Sequence, residues 1–423
     1  MEILISRQPV FDATEHLFAY ELVLHGRPDA VLDADDPAPE KLIADVFLGV
    51  GLERVADGRL ALITVDRDIL ISGAVRLLPA DKVVIQVGGA MLSDDAVVSA
   101  CEGLVRDGFR LCLIGTAPEE LPPRLLAVAH IIKVDVTRIE PARLPDVARQ
   151  LRAGHARLLA LDVRNATDRD RCVKLGFELF EGYHFTGPER VKRRDIGIEH
   201  ISTFRLLKMV RDPGADDREI EELLRRDVAL SYKLLRMVNS AAVGGRDIWS
   251  IGHALRLLGR EQIARWLALL LVTDGGREGV KAELMHLALV RARMCELLAV
   301  EAGVPRARGS LFLVGMISLL DRLLDTPMET LAKSMELAPD LQAALLHRAD
   351  FYGQILRLVE AYEVGSWNEV DELAPSLDIA PVALTTTYLE ALAWATEHSR
   401  AALAHDTPPQ MKAVLPLSKV QAR

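Results

Sequence analysis

The sequence predicts two folds in series: α/β, a shortened TIM-like (β/α) barrel over residues 1–188, then an all-α helical bundle over 189–404, with a loose tail at 405–423. Three observations carry this. Short apolar runs alternate with amphipathic stretches as far as Pro188, the rhythm of parallel strands joined by crossover helices. Beyond Pro188 nearly every segment has helical period and none alternates as a strand does. The final segment carries Pro408-Pro409 and few large apolar residues, so it has little to bury. A chain of 423 residues, half of them apolar, is long enough for two ordinary cores.

In the first half the expected strands are Leu17–Leu24, Leu60–Val65, Lys82–Val87, Arg110–Ile114, Ile131–Val134, Leu158–Val163 and Leu179–Phe185. Helices are expected between them near 38–50, 94–107, 119–128, 142–152 and 167–175. Seven strands in this length fall short of eight full βα units, which usually need ~250 residues, so the expectation is a trimmed or partly open barrel.

The second half opens with a charged linker, Glu189–Asp195, read as a solvated face rather than a phosphate patch. Asp217 caps a helix whose first turn is rich in glutamate, Glu219, Glu221 and Glu222, which complements the helix dipole. Asp227 restarts the chain into a helix with Leu230, Leu234, Leu235 and Val238 on one face, ending at Asn239-Ser240 and the pair Gly244-Gly245. Ser250 caps a further helix that stops at Gly259. These are short helices packed on one another, with no heptad seam.

Composition excludes several functions. A net charge of -10 sets the summed field against phosphate backbones, so nucleic acid is not an expected partner. The N-terminal MEILISRQPVFD meets an arginine and a proline before any long apolar run, and no run approaches the ~20 residues of a membrane span, so the expected location is the cytoplasm, with no membrane partner. Cys101, Cys112, Cys172 and Cys295 are scattered without a C-x-x-C pair and read as buried, reduced thiols. There is no glycine-rich phosphate loop and no histidine spacing of metal-ligand type; His286 and His347 are isolated, so no metal and no cofactor are expected. The helix-glycine-helix run from Ile251 to Val272 suggests a helix-turn-helix, but Trp266, Leu267, Leu269, Leu270, Leu271 and Val272 wrap the second helix in apolar surface, which belongs in a core rather than a groove.

Two segments bracketing the first half then carry a resemblance. RQPVFDATEHLFAYELVLHG (Arg7 to Gly26) and FELFEGYHFTGPE (Phe177 to Glu189) resemble the opening and closing elements of EAL-type cyclic di-GMP phosphodiesterase domains, in their divergent RQPIF/YELLFR branch. That resemblance implies a barrel whose strand ends hold two divalent cations on carboxylate and amide oxygens, with a lysine beside the attacking water. Residue by residue, Glu21 matches the first-strand glutamate, Lys133 the lysine, and Glu181 stands at the late glutamine; these are the possible remnant ligand contacts. The other positions depart from the family's pattern: Thr64 for the strand-two asparagine, Gln86 for the strand-three glutamate, Ile114 and Gly115 for the paired aspartates, Leu161 for the later glutamate. Asp162 lies one residue off and so on the opposite face of its strand. A lone glutamate and lysine at strand ends also have a simpler use, pairing with each other.

The second half resembles the HDOD family, relatives of the HD phosphohydrolases, through LLRRDVALSYKLLRMVNSA (Leu223 to Ala241), IWSIGHALRLLG (Ile248 to Gly259) and LFLVGMISLLDRLLDTPMETL (Leu311 to Leu331). Ser318 and Leu319 stand where an HD enzyme has its histidine and aspartate, and the only His-Asp pair, His405-Asp406, lies in the tail. The joint resemblance implies an EAL-HDOD signalling protein of the kind tied to bacterial motility and biofilm control. Both scaffolds lack metal ligands, so the expectation is no catalytic residue and a regulator acting on other signalling proteins, with a homodimer compatible with the family. The alternatives, in order, are a cyclic di-GMP-binding sensor without hydrolysis and a weak cyclic di-GMP phosphodiesterase.

Overall fold

The structure, a computed structural model, describes residues 3–26, 51–152, 154–163, 166–182, 198–238, 250–274, 279–335 and 337–403. It divides into two compact units, Met1–Glu189 together with Tyr362–Trp367, and Arg190–Ala361 together with Asn368–Arg423.

The first unit is a closed barrel of eight strands in sequence order: β1 (Ile3–Asp12), β2 (Leu17–Gly26), β3 (Leu60–Thr64), β4 (Val83–Gly88), β5 (Arg110–Ile114), β6 (Ile131–Asp135), β7 (Arg157–Leu161) and β8 (Leu179–Glu181). The partly open, seven-stranded barrel expected from the sequence is therefore corrected by one strand and by closure. β1 runs antiparallel to both neighbours, β2 and β8, while every other pairing is parallel. It escapes a periodicity search because Arg7, Gln8 and Pro9 interrupt its apolar pattern, and its register to β2 slips between Val10 and Phe11.

The parallel strands are short and rich in Val, Ile and Leu, as strands covered on both faces must be. The helix Asp95–Arg106 starts where the Asp94 carboxylate accepts from the Ala96 amide at 2.8 Å, and it buries Val97, Val98, Cys101 and Leu104, one helical stripe. Leu144–Leu151 buries Leu144, Val147, Ala148 and Leu151 in the same way. The helix expected over 119–128 resolves into a 3-10 turn, Pro118–Glu120, and a single turn, Pro123–Leu126, because Pro122 and Pro123 remove two amide donors in succession. The expected helix at 38–50, the strand end at 183–185 and the linker Glu189–Asp195 lie outside the described residues.

Helices make up the second unit. Its first cap is Asp216, not Asp217: the Asp216 carboxylate accepts from the Arg218 amide at 3.0 Å and Asp217 is already helical. Asp227 accepts from the Leu230 amide at 3.0 Å, starting Val228–Val238, and Ser250 accepts from the His253 amide at 3.2 Å. Gly259 breaks the Ile251–Asp274 run with φ 75° and ψ 163°, and Trp266 to Val272 beyond it are buried. The bundle is not built of short helices alone. Gly279–Glu301, of 23 residues, is its central member and packs on Arg308–Ile317 and on Pro381–Leu403. Gly315 is where two of these helices touch: a Cβ there would lie 2.5 Å from the Arg291 carbonyl oxygen. The glycine pair at 244–245 and the tail with His405-Asp406 lie outside the described residues. All four cysteines are buried and none is in a disulfide, and among the described residues no helix is long and apolar enough to cross a membrane.

Candidate functional site

Strand alternation builds the site. Val10, Ala19, Leu62, Val84, Cys112, Ile131, Leu159 and Leu179 form the apolar layer inside the barrel. Because side chains repeat on one face every two residues, the next inward layer toward the C-terminal strand ends is Glu21, Thr64, Gln86, Ile114, Lys133, Leu161 and Glu181. Seven sequence-predicted positions thus share one ring, and Leu161 rather than Asp162 faces inward. Asp162 falls just past the strand, at φ 58°.

Five of the seven are joined. The Lys133 ammonium is sandwiched between two carboxyl groups, Glu181 with Oε2 at 2.8 Å and Glu21 in closer contact still. The Gln86 amide nitrogen donates to Glu21 Oε1 at 2.8 Å and to the Thr64 hydroxyl at 3.2 Å. Glu21, Gln86, Lys133 and Glu181 are all buried, whereas Thr64 is exposed. The buried Gln86 Oε1 accepts no hydrogen bond.

Protonation follows from this burial. Burial pushes the Glu181 carboxyl well above the carboxylate range, and the neighbouring Glu21 charge adds to the push, against the pull of Lys133. For Glu21, burial is outweighed by the hydrogen bond from Glu181 and by Lys133 and Gln86, which hold it below its ordinary value. Lys133 is likewise raised, burial being outweighed by Glu181 and Glu21. Burial and the neighbouring charge thus favour the protonated form of Glu181, while Lys133 and Gln86 favour the ionised form of Glu21. The two glutamates hold Lys133 in its charged form, and Glu21 is engaged by both Lys133 and Gln86.

The rest of the ring is apolar and filled. A Cβ on Gly88 would lie 2.7 Å from that of Ile114, and one on Gly115 would lie 2.8 Å from Leu121 Cδ2. Nearby carboxylates serve the backbone: Asp66 caps Arg67–Ser72, and Asp135 accepts from the Thr137 amide and hydroxyl and pairs with Arg138 at 3.1 Å. Sequence reasoning missed that Gln86 holds Glu21, a contact between residues 65 apart that only strand register could reveal.

In the helical unit, the Ser318 hydroxyl donates to the Gly315 carbonyl at 2.8 Å and accepts from Arg291 Nη1 at 3.2 Å. Arg291 also meets Glu360 at 2.9 Å, and Arg348 grips the same carboxylate with two bonds of 2.8 Å. Burial would raise Glu360, but Arg291 and Arg348 leave it below its ordinary value. Leu319 is buried.

Comparison with known proteins agrees with both halves. The HDOD domain family matches residues 201–346. The chain is 30% identical to the Bacillus subtilis protein YuxH over 405 residues, 93% of this chain and 98% of that protein. It is 31% identical over 404 residues to CdgJ of Vibrio cholerae, named as a cyclic di-GMP phosphodiesterase, covering 94% of this chain and 93% of that protein. Among solved structures, the Bacillus subtilis YkuI protein, with an EAL domain and in complex with substrate c-di-GMP and calcium, aligns at 15% identity and a TM-score of 0.36, over 53% of this chain and 73% of that one.

Proposed function

The chain belongs to the EAL-HDOD proteins, an EAL-like barrel followed by an HDOD domain, and from that premise we propose that it is a non-catalytic cytoplasmic regulator in cyclic di-GMP signalling that acts by binding other signalling proteins. The observation that carries the reading is the buried Glu21–Lys133–Glu181 cluster at the strand ends, in which both carboxyl groups are taken up by one lysine. Two divalent cations need several hard, charged oxygen donors around them. Here Glu181 meets Lys133 at 2.8 Å, Glu21 is held by Lys133 and Gln86, and Ile114, Gly115 and Leu161 offer no oxygen on their side chains. The residues present do not fit a metal pair; among the described residues no three His, Cys, Asp or Glu side chains converge. The HD-type positions, Ser318 and Leu319, sit within or beside an arginine-glutamate network that is complete without a metal. Regulation of motility or biofilm formation is the output that fits such a protein.

Equilibrium dialysis against cyclic di-GMP with Mg²⁺ and Mn²⁺, followed by chromatography of the nucleotide, tests this. The expected result is intact nucleotide distributed evenly across the membrane. Nucleotide retained but intact would make the barrel a sensor. Linear product would overturn the reading, and the name given to CdgJ is what favours that last outcome.

A further inference from the structure

The helical unit holds a polar pocket of about 250 Å³, formed where the end of Ile198–Arg211, the stretch just past Gly259 and the start of Arg308–Ile317 meet. Three arginines line it, Arg211, Arg260 and Arg306, with Ser310 and a single carboxylate, Glu261. In a chain of net charge -10 this is a local reversal of sign.

The arginines are not equivalent. Arg260 is anchored, donating to Asp217 at 2.9 Å and to the Asp212 carbonyl at 2.7 Å, and Glu261 accepts from Arg265 at 3.0 Å. Arg211 and Arg306 make no hydrogen bond or ion pair with any described residue, and the Ser310 hydroxyl makes none either. Arg211 is half-buried, and its burial outweighs the carboxylates of Asp340 and Glu261 to depress its pKa. Withdrawing a guanidinium from water is costly where the carboxylates near it do not offset its burial. A bound anion would remove that cost, and two forked guanidiniums beside a hydroxyl match phosphate oxygens better than a lone carboxylate.

We propose that this pocket binds the phosphoryl group of a small phosphorylated ligand, held by Arg211 and Arg306 with Ser310 donating a further hydrogen bond and Arg260 completing the positive wall. The size selects among such ligands: whole drug-sized molecules occupy roughly 300–1,000 Å³, so the pocket takes a phosphoryl group with a small substituent and not a cyclic dinucleotide. The site is separate from the barrel ring, and its occupancy does not depend on whether the barrel hydrolyses or binds anything.

The test is calorimetric titration of the full-length protein with inorganic phosphate at fixed ionic strength, with acetate as a parallel titrant. The variants are Arg211→Gln/Arg306→Gln, Ser310→Ala, and Arg226→Gln as an exposed control in the same unit. Saturable binding of one phosphate per chain is expected, weakened roughly tenfold or more in the double variant, by less in Ser310→Ala, and unchanged in the control. No saturation at millimolar phosphate, undiminished binding in a folded double variant, or acetate bound as tightly as phosphate would each overturn the assignment. Should circular dichroism show the double variant unfolded, Ser310→Ala decides: binding equal to the parent protein's removes the proposal.

Discussion

Glu21 and Glu181 are the same residue type in one barrel ring, yet their surroundings push their pKa values in opposite directions. Lys133 supplies a single positive charge between two buried carboxyl groups, so Glu21 is held low while burial and the Glu21 charge raise Glu181. The sign of the pH dependence follows. A carboxyl whose pKa is higher folded than unfolded contributes stability that is full below the unfolded value, about 4.3, and is lost as pH rises through the folded value. Glu181→Gln keeps a neutral hydrogen-bonding side chain and removes that loss. Thermal melts from pH 5 to pH 9 should therefore show the parent protein falling in stability relative to the variant as pH rises. Parallel curves would mean that Glu181 is ionised throughout. The residues of this ring were legible in the sequence because motif and strand period placed them at the strand ends. Their protonation was not, since it depends on burial and on three side chains drawn from positions 21, 133 and 181.

At the scale of elements, Gly259 shows how backbone conformation alone divides a helix. Its φ of 75° with ψ of 163° lies in a region essentially closed to L-residues with side chains, and a Cβ there would meet nothing within 4 Å, so strain rather than a clash opposes substitution. Gly259→Ala should cost about 1–3 kcal/mol, read as a shift in the urea midpoint with unchanged slope. An equal slope and midpoint would mean the break is not required by the fold. Sequence reading placed the stop at this glycine and gave both ends of β5 as found. It failed where proline and polarity interrupt a pattern: β1 went unseen across Arg7, Gln8 and Pro9, and a continuous helix was expected across Pro122-Pro123. The cap at Asp216 was displaced by one residue because Asp216 and Asp217 are chemically alike, and only the chain's turn into the helix distinguishes them.

For the molecule as a whole, the two units share a principle. Each has a polar cluster that ties together residues distant in sequence: Glu21–Lys133–Glu181 in the barrel, and Arg291–Ser318–Glu360–Arg348 in the bundle. Removing a single partner from a buried network of this kind strands the rest without compensation. Regular structure closes the barrel in the same economical way. β1 pairs on both sides, so it is the sole seam between β2 and β8. The practical consequence concerns which end of the chain can be trimmed. Deleting residues 1–12 removes one strand but bares two, since β2 and β8 each lose a hydrogen-bonded partner and present raw edges to other molecules. Such a truncation should elute as soluble aggregate in size-exclusion chromatography, where the full-length chain gives a discrete peak; a discrete, folded truncated species would show that β8 and β2 can close without it. An affinity handle placed ahead of Met1 is attached to the staple of the barrel, and its removal must stop short of Ile3.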